Sequence, residues 1–219
     1  MAKGVEVMLG ERQVQIPAGR VRLDGTLNIP EGARGVVLFA HGSGSSRLSP
    51  RNMYVARVLQ DAGLGTLLFD LLSEEEAADR AKVFDIDLLS QRLMAATDWL
   101  QEQALPEGMK LGYFGASTGA AAALEAAAQV GTAVGAVVSR GGRPDLAEPY
   151  LPEVVAPTLL IVGEYDPQVI QLNQMAYALL KTEKELTIVP GATHLFEEPG
   201  ALEQVAELAT NWFSRYLGR

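Results

Sequence analysis

Short apolar stretches alternate with stretches of helical periodicity along most of this chain, and that alternation limits its fold more than any other feature. The first part reads as strands alone: Val5–Leu9, Arg12–Ile16 and Val21–Ile29, the last broken by the turn pair Asp24-Gly25. From Gly35 the pattern changes. Gly35–Ala40 reads as a buried strand, Met53–Ala62 as a helix stopped by Gly63, and Gly65–Phe69 as the next strand. Ile86, Leu89, Leu93 and Leu100 mark one face of a long helix by their spacing. Lys110–Phe114, Gly135–Ser139, Thr158–Val162 and Glu185–Val189 read as further strands. Helices over Thr118–Val130 and Gln168–Leu180 separate them, and Leu202, Val205, Leu208, Trp212 and Tyr216 line a last one. Such a series predicts an α/β fold: a mostly parallel twisted sheet with an antiparallel N-terminal edge and helices on both faces.

With 219 residues and neither a repeat nor a linker, the chain reads as a single domain over 1–219. No apolar run is long enough to span a bilayer, and the N-terminus shows no secretory h-region, so no membrane association is expected. The net charge of −9, with no basic stripe, disfavours nucleic acid as a partner. Cysteine is absent, which removes disulfides, thiolate metal sites and a thiol nucleophile, and points to the cytoplasm. Ser73 and Glu76 have capping-box spacing, so the acidic run from Ser73 to Arg80 reads first as a solvated helix start. A flap over the site is the second reading.

Three local signals carry chemistry. Gly115-Ala116-Ser117-Thr118-Gly119 matches G-x-S-x-G and lies between an expected strand and an expected helix, where a nucleophile elbow belongs. The pentapeptide alone arises by chance in roughly one chain in ten of this length. Its placement is what counts. The elbow turns so sharply that side chains two residues either side would collide, and glycine stands at both positions. The second signal is His41-Gly42-Ser43-Gly44, directly after an apolar strand. The N–H of Ser43, with that of Gly44 as the alternative, would provide one oxyanion donor and the N–H of Thr118 the other. The absence of a following Gly-Lys-Ser/Thr argues against a phosphate loop.

The third signal is scarcity. Only two histidines are present, and with His41 in the loop just described, His194 is left as the base by elimination. It follows the last strand, in a loop that can reach the elbow. The orienting acid should lie between nucleophile and base, and Asp166 at the end of the strand Thr158–Val162 fits. Glu164 and Asp145 are the alternatives. Arg47, Arg51, Arg140 and Arg143 lie in loops near strand ends. Arg47 and Arg140 are candidates for a substrate carboxylate or phosphate, although such arginines more often pair with local acids.

Together these elements resemble the α/β-hydrolase superfamily, in its dienelactone-hydrolase-like branch, over nearly the whole chain. More narrowly, His41-Gly-Ser-Gly-Ser-Ser-Arg47, Gly65-Thr-Leu-Leu-Phe-Asp70, Ser139-Arg-Gly-Gly-Arg-Pro-Asp145 and Pro190-Gly-Ala-Thr-His-Leu-Phe-Glu197 are similar to hydrolase domains sometimes fused to a phosphoribosyltransferase. The resemblance implies the α/β-hydrolase fold in a free-standing version, and a Ser117–Asp166–His194 triad without cofactor or metal. Dienelactone hydrolases proper carry cysteine where this chain has Ser117, which favours carboxylic ester hydrolysis over dienelactone turnover. The short connection from Arg140 to Thr158 leaves a minimal lid and predicts small or short-chain acyl substrates. Two alternatives stay open: a thioesterase or lactone hydrolase with the same triad, and a non-catalytic binding protein on the same fold. Oligomeric state is not legible.

Overall fold

Every residue of Gly35–Ala40 is buried, as a strand covered on both faces must be. This strand, β3, lies inside an eight-stranded sheet in the computed structural model, which describes residues 9–106 and 108–218. The others are β1 (Gly10–Ala18), β2 (Val21–Ile29), β4 (Gly65–Phe69), β5 (Lys110–Ala116), β6 (Val134–Arg140), β7 (Thr158–Gly163) and β8 (Lys184–Val189). Their order across the sheet is β1-β2-β4-β3-β5-β6-β7-β8. β1 and β2 are antiparallel, β2 is antiparallel to β4, and every pairing from β4 to β8 is parallel.

One expectation needs correction and another lies mostly outside the described residues. Asp24-Gly25 does not break a strand: β2 runs through it, with Gly25 opposite Phe69 of β4. A Cβ on Gly25 would lie 3.1 Å from the Phe69 Cβ, so the position favours glycine for close packing between strands. The hairpin turn lies at Gly19-Arg20, flanked by the pair Ala18 and Val21, with Gly19 at φ +68°. The strand expected at Val5–Leu9 falls mostly outside the described residues, and only Leu9 is described, as coil.

The helices divide between two layers. On one face lie α4 (Ile86–Gln101) and α5 (Thr118–Val130), packed over Leu38, Leu67, Leu111 and Tyr113. On the other lie α1 (Pro50–Asp61) and α7 (Ala201–Leu217), over Val37, Phe39, Phe114 and Val138. Phe39 and Phe114 meet there at 4.9 Å between ring centroids. Full burial of each such ring is worth about 2–3 kcal/mol against exposure. Caps fix the helix starts: Ser49 accepts the N–H of Asn52 at α1, and Asp85 that of Leu88 at α4. Two one-turn helices, α2 (Glu74–Ala77) and α3 (Arg80–Val83), precede α4, and α6 (Pro167–Leu179) follows β7.

The connection between β6 and β7 holds a 3₁₀ segment, Pro144–Glu153, that sequence periodicity does not reveal. It packs against α5 and α6. The chain order reverses between β3 and β5, because β4 lies on one side of β3 and β5 on the other. In open α/β sheets ligands bind outside the strand ends at such a switch point. The loop after β3 carries His41–Arg47 and the turn after β5 carries Ser117. Among the described residues, no helix is long and apolar enough to cross a membrane.

Candidate active site

Ser117 is held at φ +52° and ψ −120°, one of two non-glycine residues with positive φ among those described. That conformation is strained for an L residue with a side chain. The surrounding backbone enforces it: the Ser117 N–H donates to the Arg140 carbonyl at 3.2 Å, and its carbonyl accepts from Ala120 and Arg143 at 3.1 Å each. The flanking glycines are required by space. A Cβ on Gly115 would sit 2.4 Å from the Ala120 Cα, and one on Gly119 would sit 2.1 Å from the Ala40 carbonyl oxygen. Ala120 to Ala123 are fully buried, so α5 lies close against the sheet and its first turn aims at the elbow. Ser117 occupies the N-cap position without using its hydroxyl as a cap, which leaves the oxygen free for chemistry.

His194 and Asp166 meet as expected. The Nδ1 of His194 lies 2.6 Å from Asp166 Oδ2, with side-chain exposures of 38% and 17%. A carboxylate accepts only, so this contact places the imidazole proton on Nδ1 and leaves the Nε2 lone pair for a proton acceptor role. The two alternative acids are committed elsewhere. Glu164 accepts the N–H of Gly191 at 2.7 Å, and Asp145 forms a two-point pair with Arg143 at 2.9 and 2.8 Å. Ser117 and His194 flank one short segment: Arg140 holds the Ser117 N–H, and a Cβ on the following Gly141 would lie 3.5 Å from His194 Cε1.

The base loop has a brace that sequence reading missed. Glu198 accepts the Thr193 hydroxyl at 2.6 Å and the Thr193 N–H at 3.1 Å, and these bonds hold its carboxyl below the usual range. The T-x-x-x-x-E spacing alone is too common to flag such a contact. Phe196 is the second positive-φ residue, at +55°, and its ring is fully buried in the α1/α7 layer.

The loop from His41 to Arg47 is fixed at three points. The Ser43 N–H donates to Thr118 Oγ1 at 2.9 Å, which joins both expected oxyanion residues. Asp70 accepts the Arg47 N–H at 2.8 Å and its Nη1 at 2.5 Å, so Arg47 is engaged by an acid at the end of β4. His41 bonds through both nitrogens: Nε2 accepts the Leu71 N–H at 3.1 Å, which leaves Nδ1 as the donor to the Gly42 carbonyl at 3.0 Å. Burial, only partly offset by that carbonyl and by Asp70, lowers the His41 pKa below its ordinary 6.5.

A group whose pKa falls on folding stabilises the fold above its unfolded value and loses that contribution as pH drops towards the folded one. The denaturation midpoint should therefore decline below about pH 6.5, and His41→Gln should remove that part of the decline. Parallel pH profiles for the two proteins, measured by urea titration, would contradict the assignment.

A cavity of about 1040 Å³ opens beside this loop, walled by His41–Leu48, by Asp70–Ser73 and by residues of α2 and α3. The expected capping box at Ser73 and Glu76 is present, and Glu74 and Glu75 are exposed as a solvated start requires. Glu76 is buried and also pairs with Arg92 of α4 at 2.9 Å, so the short helices are fastened to the body as a wall of the cavity. The solvated-start reading of the acidic run is the one these contacts match. Among the described residues, no three His, Cys, Asp or Glu side chains are grouped as metal ligands would be.

Comparison with known proteins places the whole fold among relatives. The model of the dienelactone hydrolase family matches residues 23–217. Two Mycobacterium tuberculosis proteins, from strains CDC 1551 and H37Rv, are 60% identical over 209 residues, which is 95% of this chain and 47% of each. Their names call them phosphoribosyl transferases, and the chain spans about half their length. The crystal structure of a dienelactone hydrolase from Anabaena variabilis matches with a TM-score of 0.91 and 60% identity, covering 94% of this chain and 97% of that one. A Pyrococcus furiosus esterase shares the fold at a TM-score of 0.78 and 20% identity, over 96% and 92% of the two chains.

Proposed function

The chain belongs to the dienelactone hydrolase family and has the α/β-hydrolase fold, and from that premise we propose that it is a serine hydrolase cleaving small or short-chain carboxylic esters. The observation that carries this reading is the 2.6 Å contact between His194 and Asp166, beside a strained Ser117 whose hydroxyl has no structural use. In the proposed reaction, His194 Nε2 takes the Ser117 proton as Oγ attacks the ester carbonyl. The N–H groups of Ser43 and Thr118 hold the oxyanion, each worth about 3 kcal/mol of barrier. Collapse expels the alcohol, which takes the proton from His194. A water activated by the same imidazole then releases the acid and restores Ser117.

The Ser43 N–H is engaged by Thr118 Oγ1 in the free site, and the entering oxyanion takes its place as acceptor or shares the donor. Serine at position 117, where dienelactone hydrolases proper carry cysteine, supports ester hydrolysis over dienelactone turnover. The short β6–β7 connection, packed on α5 and α6, supports a short acyl chain. The absence of cysteine supports the cytoplasm as its location.

The test is hydrolysis of p-nitrophenyl acetate, butyrate and palmitate, with a thioester and a lactone in the same panel. Acetate and butyrate should be turned over, palmitate poorly, and Ser117→Ala and His194→Ala should each abolish release. A folded chain that hydrolyses none of these esters would overturn the proposal, and preference for palmitate would overturn its short-chain part.

A further inference from the structure

Among the described residues, no acid pairs with the charge of Arg140. It ends β6, is 8% exposed, and lies on the same face of that strand as Val138 in the α1/α7 layer. Its Nε and Nη1 are buried without a hydrogen-bond partner. Among the described residues it joins no salt bridge, whereas Arg47, Arg92, Arg143 and Arg215 each hold a carboxylate. It lies over the ring of Phe196, two residues after His194, 5.9 Å from Cζ to the centroid.

A second guanidinium stands close by. Arg51, in the first turn of α1, gives Nη1 to Glu197 at 2.8 Å, but its Nε is also buried and unpartnered. Burial, followed by repulsion from Arg51, pulls the Arg140 pKa down to about 10, which still leaves it charged at neutral pH. The cluster thus holds two cations, three sealed N–H groups and Glu197, whose side chain is 62% exposed. A buried donor left unmade is destabilising, and a buried unpaired charge more so.

The unpartnered N–H groups give the fold nothing, but the site can use them. The carbonyl of Arg140 holds the Ser117 N–H, the next residue packs against His194, and Phe196 and Glu197 follow two and three residues after that base. We propose that Arg140 and Arg51 form an anion subsite beside the triad, which takes a carboxylate or phosphate group carried by the ester substrate. Guanidinium forks offer paired donors that match both groups. One anion would balance the excess positive charge and offer an acceptor to guanidinium groups whose N–H donors have none. The inference deepens the hydrolase reading by naming its substrate class: half-esters of short dicarboxylic acids, or esters that bear a phosphate.

The experiment compares kcat/KM for p-nitrophenyl butyrate with that for mono-p-nitrophenyl glutarate, an acyl chain of similar length ending in a carboxylate. The wild-type chain should favour the charged ester by about tenfold or more, the gain typical of one charge-assisted hydrogen bond. Arg140→Met should lose that preference mainly through KM, and Arg51→Met should reduce it in the same way if the first variant folds poorly. A separate arm follows the melting temperature of Ser117→Ala with added glutarate or inorganic phosphate, and reads anion binding without turnover.

Anion-dependent stabilisation that disappears with Arg140→Met supports the site even if no ester is hydrolysed, which separates its fate from that of the hydrolase reading. Phosphate that stabilises the protein without competing with p-nitrophenyl butyrate would mark a free-anion site and overturn the substrate assignment. Equal turnover of both esters, or a preference that survives both variants, would overturn it too.

Discussion

Asp166→Asn should lower kcat by about 10⁴-fold while leaving the fold intact. The carboxylate now accepts the Nδ1 proton of His194 at 2.6 Å. An amide in its place can turn its NH₂ towards Nδ1, which moves the imidazole proton to Nε2 and removes the lone pair that must take the Ser117 proton. An amide also cannot stabilise the imidazolium that forms as Ser117 attacks. Asp166 has no side-chain bond to the first turn of α6, so the substitution removes no cap, and the melting temperature should stay within a few degrees of wild type. Steady-state kinetics and a thermal melt on the same preparation check both parts. A fall of less than tenfold would remove Asp166 from the triad.

Gly119→Ala should be among the most disruptive single substitutions in the chain, although it adds only one methyl group. That methyl would lie 2.1 Å from the Ala40 carbonyl oxygen and 2.5 Å from that of His41. Both are backbone atoms at the end of β3, so no side-chain rotation relieves the overlap. Either α5 shifts away from the sheet, or the loop carrying Ser43 moves. Overpacking of this kind costs about 1–3 kcal/mol and more when backbone must move, which corresponds to a fall of roughly 6–12 °C for 3 kcal/mol in a chain of this size. Ester turnover should fall further than stability, since the displaced groups include both expected oxyanion donors. Calorimetry beside p-nitrophenyl acetate kinetics reads the two effects. A variant with wild-type stability and turnover would show that α5 does not need this approach.

The elbow was legible in the sequence because its demands are local: glycine on both sides of a serine, between a strand and a helix, admits few other uses. The meeting of His194 with Asp166 was legible through the scarcity of histidine and the place of Asp166 just after β7. Local chemistry misleads where tertiary pairing outweighs it. Asp24-Gly25 has the composition of a turn, but pairing with β4 draws it into β2 and Gly25 serves the contact with Phe69. The 3₁₀ segment Pro144–Glu153, interrupted by Pro149 and Pro152, has no period to detect. The engagement of Arg47 by Asp70 and the isolation of Arg140 depend on which elements become neighbours, and the spacing of arginines along the chain contains neither.

The central claim is that Ser117 is the nucleophile, and intact-mass spectrometry after incubation with a fluorophosphonate tests it most directly. A single adduct is predicted, located by proteolysis to the peptide containing Ser117 and absent from Ser117→Ala. A folded protein that stays unmodified, or an adduct that persists in Ser117→Ala, would contradict the account.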